Sequence, residues 1–560
     1  MQQLTRRELI AGLAGSGIAA SVGSPRSARA EAASSFIHIQ REPDLVTAFS
    51  GLAHPIPLQR SAGSWSGDGL QIRFEPQTGG MPVYLNAPGT RPTHVHLRWN
   101  SAVREEILLL GDAWERSYGD LRWESMVPER VMPWYFLLQE GSALHGYGVK
   151  TGAGAFCFWQ VDPQGISLWL NVCNGGSGVA LGHRGLLAAT VISSPGNVGE
   201  SPLQSAHAFC QKLCDDPRPV QVIYGSNDWY YAYGQNSAVQ ILRDAELIGS
   251  LAPARGARPF TVIDDGWRNK SAFPDMGELA DSIRNHNVRP GIWIRPLQAP
   301  AGTSEALLLP AARYGSRTER QRDFAYDPTI PGGLEAILAK VSRATAWGYE
   351  LLKHDYSTYE LLGQWGFEMG PEPTLPGWSL HDQSKTNAEV IRDLYLAIRR
   401  AAGERTLIVG CNTVGHLGAG IFDAQRTGDD VSGQLWERTR RMGVNTLAFR
   451  LPQHRAFFAL DADCVPITTE TPWPCNRQWL DLLARSGTVL LVSPQPAALG
   501  LEQHEALRAA FAIAASSRSD ARATDWETST TPAHWEFHGS SPTHKDYDWC
   551  QQTGAWPFQL

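Results

Sequence analysis

No GxGxxG and no P-loop occurs in the 560 residues, so the glycine turn that an open doubly wound nucleotide-binding sheet often carries is missing. Cysteine is scarce and follows no metal pattern. Cys210 and Cys214 stand four apart, which suits one face of a helix, yet no nearby Cys or His pair completes a zinc set. Cys464 and Cys475, eleven apart beside turn-rich sequence, are read as a disulfide candidate in an oxidising compartment, and the remaining cysteines as free or structural thiols. An excess of positive charge is absent too. With 49 Lys plus Arg against 56 Asp plus Glu the formal charge is −7, which excludes strong attraction to a phosphate backbone or an anionic membrane, and nucleic acid is not an expected partner. Beyond the N-terminus no eighteen apolar residues run uninterrupted, so no membrane insertion is expected.

What is present describes a folded chain of more than one domain. Its 42% hydrophobic and 19% charged content is that of a globular protein, and its length allows one core of about 200 to 300 residues and a second domain. The 20 tryptophans offer indole faces that suit the apolar side of a sugar ring, although a large core also uses them. Residues 1–30 read as a targeting segment. TRREL carries Arg6 and Arg7, IAGLAGSGIAA is an apolar run too short to span a bilayer, and Ala28 to Ala30 form an Ala-x-Ala cleavage site. The paired arginines resemble the twin-arginine signal, which implies export of the folded chain to the periplasm or the extracellular space.

From about 31 to 215 short alternating segments with polar turns predict a β-sandwich. THVHLRW (93–99), WYFLLQ (134–139) and AFCFWQVDPQGISLWLNV (155–172) are examples, with DPQG as a hairpin turn. Between 220 and 495 strands alternate with helical stretches. The strands are QVIYGSNDW, FTVIDDGW, VRPGIWIRP, YELLKHDYS, TLIVGCN, a short sixth around FDAQRTGDD, RAFFALDAD and GTVLLVS. Eight βα steps over this length predict a closed (β/α)8 TIM barrel, which gathers its strand-end residues in one mouth. Residues 501–560 open with a helical stretch and continue with tryptophan-bearing patches, read as a small C-terminal β-rich segment.

The strand ends hold a ring of carboxylates with a few cations. In order they give Asp228 and Trp229; Asp264, Asp265 and Trp267; Trp293 and Arg295; Lys353 and Asp355; Cys411 and Asn412; Arg426, Asp429 and Asp430; Asp461 and Asp463. Such acids are costly unless they bind a polyhydroxyl ligand, a metal or one another. A magnesium site for phosphotransfer or two-metal hydrolysis is one reading, but Lys353 and Arg426 would compete with a metal for the same oxygens. Two carboxylates facing each other across a glycosidic bond is the sharper one. Alternation puts Lys353 and Asp355 on one face of the fourth strand, where the ammonium is expected to keep Asp355 charged and nucleophilic. Capping of the following helix by Asp264 and Asp265, and a solvated Lys353–Asp355 surface pair, are the plainer alternatives.

IDDGW (263–267), KHD (353–355) and RTGDDV (426–431) resemble, in order and spacing, motifs on the second, fourth and sixth strands of the melibiase-like α-galactosidase clan, glycoside hydrolase families 27 and 36. The N-terminal β-rich half is closer to family 36. The resemblance implies that Asp264 and Asp265 bind the sugar O4 and O6, that Trp267 walls that pocket, and that Lys353 donates to O3 and O4. It makes Asp355 the nucleophile, and Asp430 the acid/base, with Asp429 as its rival. Arg426 would touch the O2 side. Asn227 and Trp229 would shape the pocket floor, Cys411 and Asn412 would read the C2 substituent, and Asp461 and Asp463 would support. Trp293, at the end of the third strand, joins the substrate-binding candidates. No cofactor is required, and the partner is an oligosaccharide or glycoside; the oligomeric state is left open. The implied function is a retaining, exo-acting α-galactosidase, with α-N-acetylgalactosaminidase, β-L-arabinopyranosidase, another clan glycosidase such as an α-glucan-acting enzyme, and a non-catalytic carbohydrate-binding protein as alternatives.

Overall fold

The computed structural model describes residues 36–549 apart from 52, 120, 197–198, 318–322, 517–519 and 539–541, so the expected export segment lies outside the described residues. N-terminal strands form two antiparallel sheets of six and nine strands. The hairpin expected at DPQG is there, Phe156–Asp162 pairing with Gly165–Asn171. Inward residues of both sheets meet in an aromatic core: Phe136 of the nine-stranded sheet lies 5.7 Å from Trp159 of the six-stranded one, and Trp159 stacks on Trp99 at 6.3 Å. Burying rings of this size contributes about 2 to 3 kcal/mol each, which lets two half-polar sheets close on one another.

The barrel strands run in sequence as Tyr224–Asn227, Phe260–Ile263, Arg289–Ile294, Leu351–His354, Leu407–Gly410 and Ala424–Arg426, each parallel to the next. The seventh strand is broken. Ala459–Asp461 pairs with the sixth, whereas Cys464–Ile467 pairs with the eighth, Leu490–Pro494, which returns to the first. The ends of the nine-stranded sheet are therefore two halves of one strand, and the ring closes through residues 462 and 463. Asp463 makes the break with a φ of 70°, a left-handed conformation that a non-glycine residue adopts at some cost.

Local signals explain where the helices start. Ser237, Asp275 and Thr386 accept hydrogen bonds from first-turn amides of Ala238–Leu251, Met276–Asn285 and Asn387–Ala402, each cap contributing about 1 kcal/mol. Because Asp275 holds the cap after the second strand, Asp264 and Asp265 are left to other work. Among the described residues no helix is long and apolar enough to cross a membrane. The C-terminal segment is a helix, Leu501–Ala514, and a three-stranded sheet whose Trp526, Trp535 and nearby Trp549 are buried.

Sandwich and barrel interlock. Asn174 of the sandwich donates to the carbonyls of Asp382 and Lys385, and Trp134 stacks on His416 of the barrel at 4.7 Å. The disulfide expected between Cys464 and Cys475 is not formed, because Cys464 is a free thiol. Cys464 opens a barrel strand and Cys475 lies inside the helix Trp473–Ser486, each buried in its own layer.

Candidate active site

Asp355 follows the fourth strand and is held by three N–H groups. Trp293 donates its indole N–H to Oδ2 at 2.9 Å, while Oδ1 accepts from the backbone of Tyr356 at 2.7 Å and of Asn412 at 3.1 Å. Tyr356 reaches it only by adopting a φ of 67°, a strained conformation placed beside the carboxylate. Strand alternation explains the neighbours: Lys353 and Asp355 face the barrel interior, and His354 points outward against Tyr395 and Phe422.

The cation of the fourth strand, however, goes to the second. Lys353 Nζ donates to Asp264 Oδ2 at 2.7 Å, and Asn227 shares that oxygen at 2.8 Å. Lys353 is thus bonded to Asp264, and the hydrogen bonds that fix Asp355 come from an indole and two amides. Burial alone would lower the Lys353 ammonium, but Asp264 and Cys411 carry it well above its usual value. Asp228 accepts the backbone N–H of Asp264 at 2.7 Å, and burial together with the Asp264 charge pushes its carboxyl up to about 7. Asp265 is more open and meets Arg268 at 3.0 Å. Trp267 donates to the carbonyl of Trp293, which fixes the wall beside these acids.

On the opposite side, Arg426 is fully buried with Nη2 3.2 Å from Asp430 and 2.6 Å from Asp463. Asp463 also accepts from Tyr230 and from the Val431 amide, and its own N–H goes to Asp461. Asp461 and Asp463 therefore carry Arg426 and the strand break; they act on the mouth from behind it. Cys411 lies between the two halves of the site. Its Sγ is 3.4 Å from Arg426, and burial, then the Asp355 charge, raise the thiol well above its usual value. Asn412 turns its side chain away, accepting from the Tyr359 amide and donating to Glu115, so only its backbone N–H meets Asp355. Trp229 begins a short helix and packs on Tyr233. Arg295, at the end of the third strand, pairs with Glu360 at 2.7 Å and with Asp323 at 3.1 Å.

The sandwich supplies residues that the sequence pattern did not single out. The 112–118 loop enters the barrel mouth and runs beside the sixth-strand segment: the Ser117 amide donates to the Thr427 carbonyl at 2.9 Å, and the Asp429 amide donates back to the Ser117 carbonyl at 2.8 Å. Arg116, buried, thereby reaches Asp429 at 2.8 Å, Asp430 at 3.4 Å and Cys411 Sγ at 3.6 Å. Asp429 is also paired with Arg438 at 2.6 Å, so it is locked between two guanidiniums, whereas the Asp430 side chain is 40% exposed toward the cleft. Burial raises the Asp430 carboxyl, but Arg426, Arg116, Lys353 and Arg438 together outweigh it and hold it below the usual carboxylate range. Glu115, pushed up to about 7 by burial, is closed off by Tyr118, Asn412 and the Gly366 amide. The available signal was an adjacent Glu and Arg between Trp114 and Tyr118, in a domain otherwise reading as plain β-sandwich.

Among the described residues one trio could offer ligands to a metal, His94, Cys173 and Glu372, with donor atoms within 4.8 Å of one another. It lies where the sandwich meets the connector after the fourth barrel strand, and Asn171 already hydrogen-bonds both His94 and Glu372. In the barrel mouth Lys353 pairs with Asp264, Arg426 with Asp430 and Asp463, Arg116 with Asp429 and Asp430, and Arg438 with Asp429.

No protein-family model matches this sequence, and no curated protein matches it. Solved structures do. An alpha-galactosidase from Thermus thermophilus, solved with p-nitrophenyl alpha-D-galactopyranoside, has 18% identity over 88% of this chain and 99% of its own, with a TM-score of 0.58. A glycoside hydrolase family 36 alpha-galactosidase from Geobacillus stearothermophilus, in complex with 1-deoxygalactonojirimycin, has 11% identity over 89% of this chain and 77% of its own, with a TM-score of 0.56. The alpha-galactosidase of Lactobacillus brevis has 13% identity over 88% and 74%, with a TM-score of 0.55. At these identities the likeness is one of fold, and the fold is the sandwich-plus-barrel architecture of these alpha-galactosidases.

Proposed function

We propose that the protein is a retaining, exo-acting α-galactosidase. The observation that carries the reading is the wiring of the mouth. Asp355 is fixed by an indole and two amides on one side, Asp430 opens to the cleft on the other, and Cys411 with its two guanidiniums lies between them. Asp355 attacks the anomeric carbon while Asp430 protonates the leaving oxygen, forming a β-glycosyl enzyme. Water, deprotonated by Asp430, then releases the sugar with its α configuration kept. Asp264, oriented by Lys353, Asn227 and Asp228, and Asp265 bind O4 and O6; Trp267 limits that pocket. Arg426 and Cys411 are assigned to the C2 side, where two arginines close over the buried thiol.

Asp430 rather than Asp429 is the acid/base, because Asp429 has both oxygens in ion pairs. The arginines beside Asp430 favour its ionised form, which the second step requires, over the proton-bearing form needed for the first. The charge on the two arginines therefore sets how much enzyme is competent. The export of residues 1–30 by the twin-arginine route belongs to the same proposal and rests on Arg6, Arg7 and the Ala-x-Ala site.

Hydrolysis of p-nitrophenyl α-D-galactopyranoside followed by proton NMR tests it. The first sugar released is expected to be the α-anomer, and Asp355→Asn is expected to lose at least about a thousandfold in kcat with the fold intact. A β-anomer as first product, or a variant keeping more than about a hundredth of the activity, removes the nucleophile assignment.

A further inference from the structure

We infer that the cleft continues past Asp430 into a leaving-group subsite, an aromatic platform built jointly by the sandwich loop and the connector after the fourth strand, for the apolar face of a second sugar ring. This rests on the proposed glycosidase reading and names what lies on the far side of the scissile bond. Tyr118 of the loop meets Phe367 of the connector edge to face, with centroids 4.9 Å apart. Trp365, two residues earlier, stacks on Tyr359 at 4.4 Å. The Arg116 guanidinium lies 5.7 Å from the Tyr118 ring and 5.8 Å from the Trp365 ring, and that same group touches Asp430. The rings therefore begin one guanidinium away from the acid, on the side where the leaving oxygen is protonated.

Phe367 is 63% exposed, yet its setting is rigid. Gly366 donates its N–H to Glu115 at 2.9 Å, and a Cβ there would lie 2.7 Å from Glu115 and 2.9 Å from Tyr118, so the turn fits only as glycine against the loop. Glu368 closes the turn by accepting the Trp365 amide and pairing with Arg317. An exposed aromatic held this firmly beside a half-buried tyrosine and tryptophan is a pre-organised stacking surface, since CH-rich sugar faces gain from aromatic rings without ordering a flexible side chain.

Phe367→Ala tests the platform, because removing an exposed ring leaves the fold intact. The ratio of kcat/KM on raffinose to that on α-galactosyl fluoride, whose leaving group has no body to stack, is expected to fall about tenfold. An unchanged ratio overturns the subsite, as does an equal loss on both substrates. Calorimetric titration of raffinose onto Asp355→Asn, with and without Phe367→Ala, reads the same surface without turnover, and a rise in Kd of about five- to tenfold is expected. Equal Kd values, or no binding by either, overturn the subsite. If the wild-type chain hydrolyses neither substrate but the Kd rises as expected, the platform stands and the hydrolase reading falls.

Discussion

Replacing Arg116 by Met removes one cation from Asp430, the proposed acid/base, and keeps the side-chain stem packed. At 3.4 Å, two unit charges interact by about 5 kcal/mol at an effective dielectric of ~20 and by about 1 kcal/mol in water. Asp430 is 40% exposed, so solvent screens the pair, and about 1.5 to 3 kcal/mol is the appropriate range. Asp429 loses one of its two partners in the same variant, and its charge pushes Asp430 in the same direction. Removing a cation raises an acid's pKa, so Asp430 rises and its protonated form survives to higher pH. The alkaline limb of kcat/KM on an aryl α-galactoside should move upward by about one to two pH units. Arg116→Lys, which keeps the charge without the forked geometry, should lie nearer wild type. Both profiles need circular dichroism and gel filtration as controls. A folded Arg116→Met enzyme whose alkaline limb stays where it was would refute the claim that the sandwich arginine sets the charge of the acid.

Asp430→Ala should lose far more activity on alkyl than on aryl galactosides, since good leaving groups need little proton help, whereas Asp429→Asn should weaken both about equally through misplaced Arg116. Asp463→Asn should destabilise the fold by about 3 kcal/mol in urea titrations, because Arg426 is buried and loses its charged partner at 2.6 Å; a loss under about 1 kcal/mol would contradict that. His354, whose buried ring nitrogens have no hydrogen-bond partner among the described residues, is lowered to about 4 by burial. Its folded form stays neutral while the unfolded chain takes up a proton below about pH 6.5. Its contribution is therefore complete above that pH and falls by about 1.4 kcal/mol per unit down to about 4. His354→Phe should flatten this part of the stability profile, and parallel urea midpoints for variant and wild type between about pH 7 and 5 would exclude it.

The two-layer N-terminal half, the alternating barrel and the β-rich tail were legible because period-two runs and capped helices are local signals. FTVIDDGW and YELLKHDYS even placed their polar residues correctly at strand ends. The direction of Lys353 was not legible, since alternation fixes which face a residue takes but not which neighbouring strand it bonds across the mouth; Asp264 of the second strand takes the ammonium. Arg116 was hidden for a different reason. It precedes Asp430 by 314 residues, and the loop carrying it meets Thr427 and Asp429 through backbone pairing, which side-chain periodicity does not encode. The broken seventh strand was likewise read as one segment, because a left-handed aspartate leaves no pattern of its own.

That break ties the closure of the barrel to the proposed active site. Residue 463 is where the two halves of the seventh strand meet, and the same side chain grips the arginine beside Asp430. A ring open at this seam would leave that guanidinium with Asp430 as its remaining carboxylate. On the proposed mechanism, closing the cylinder and setting the arginine beside Asp430 are therefore linked.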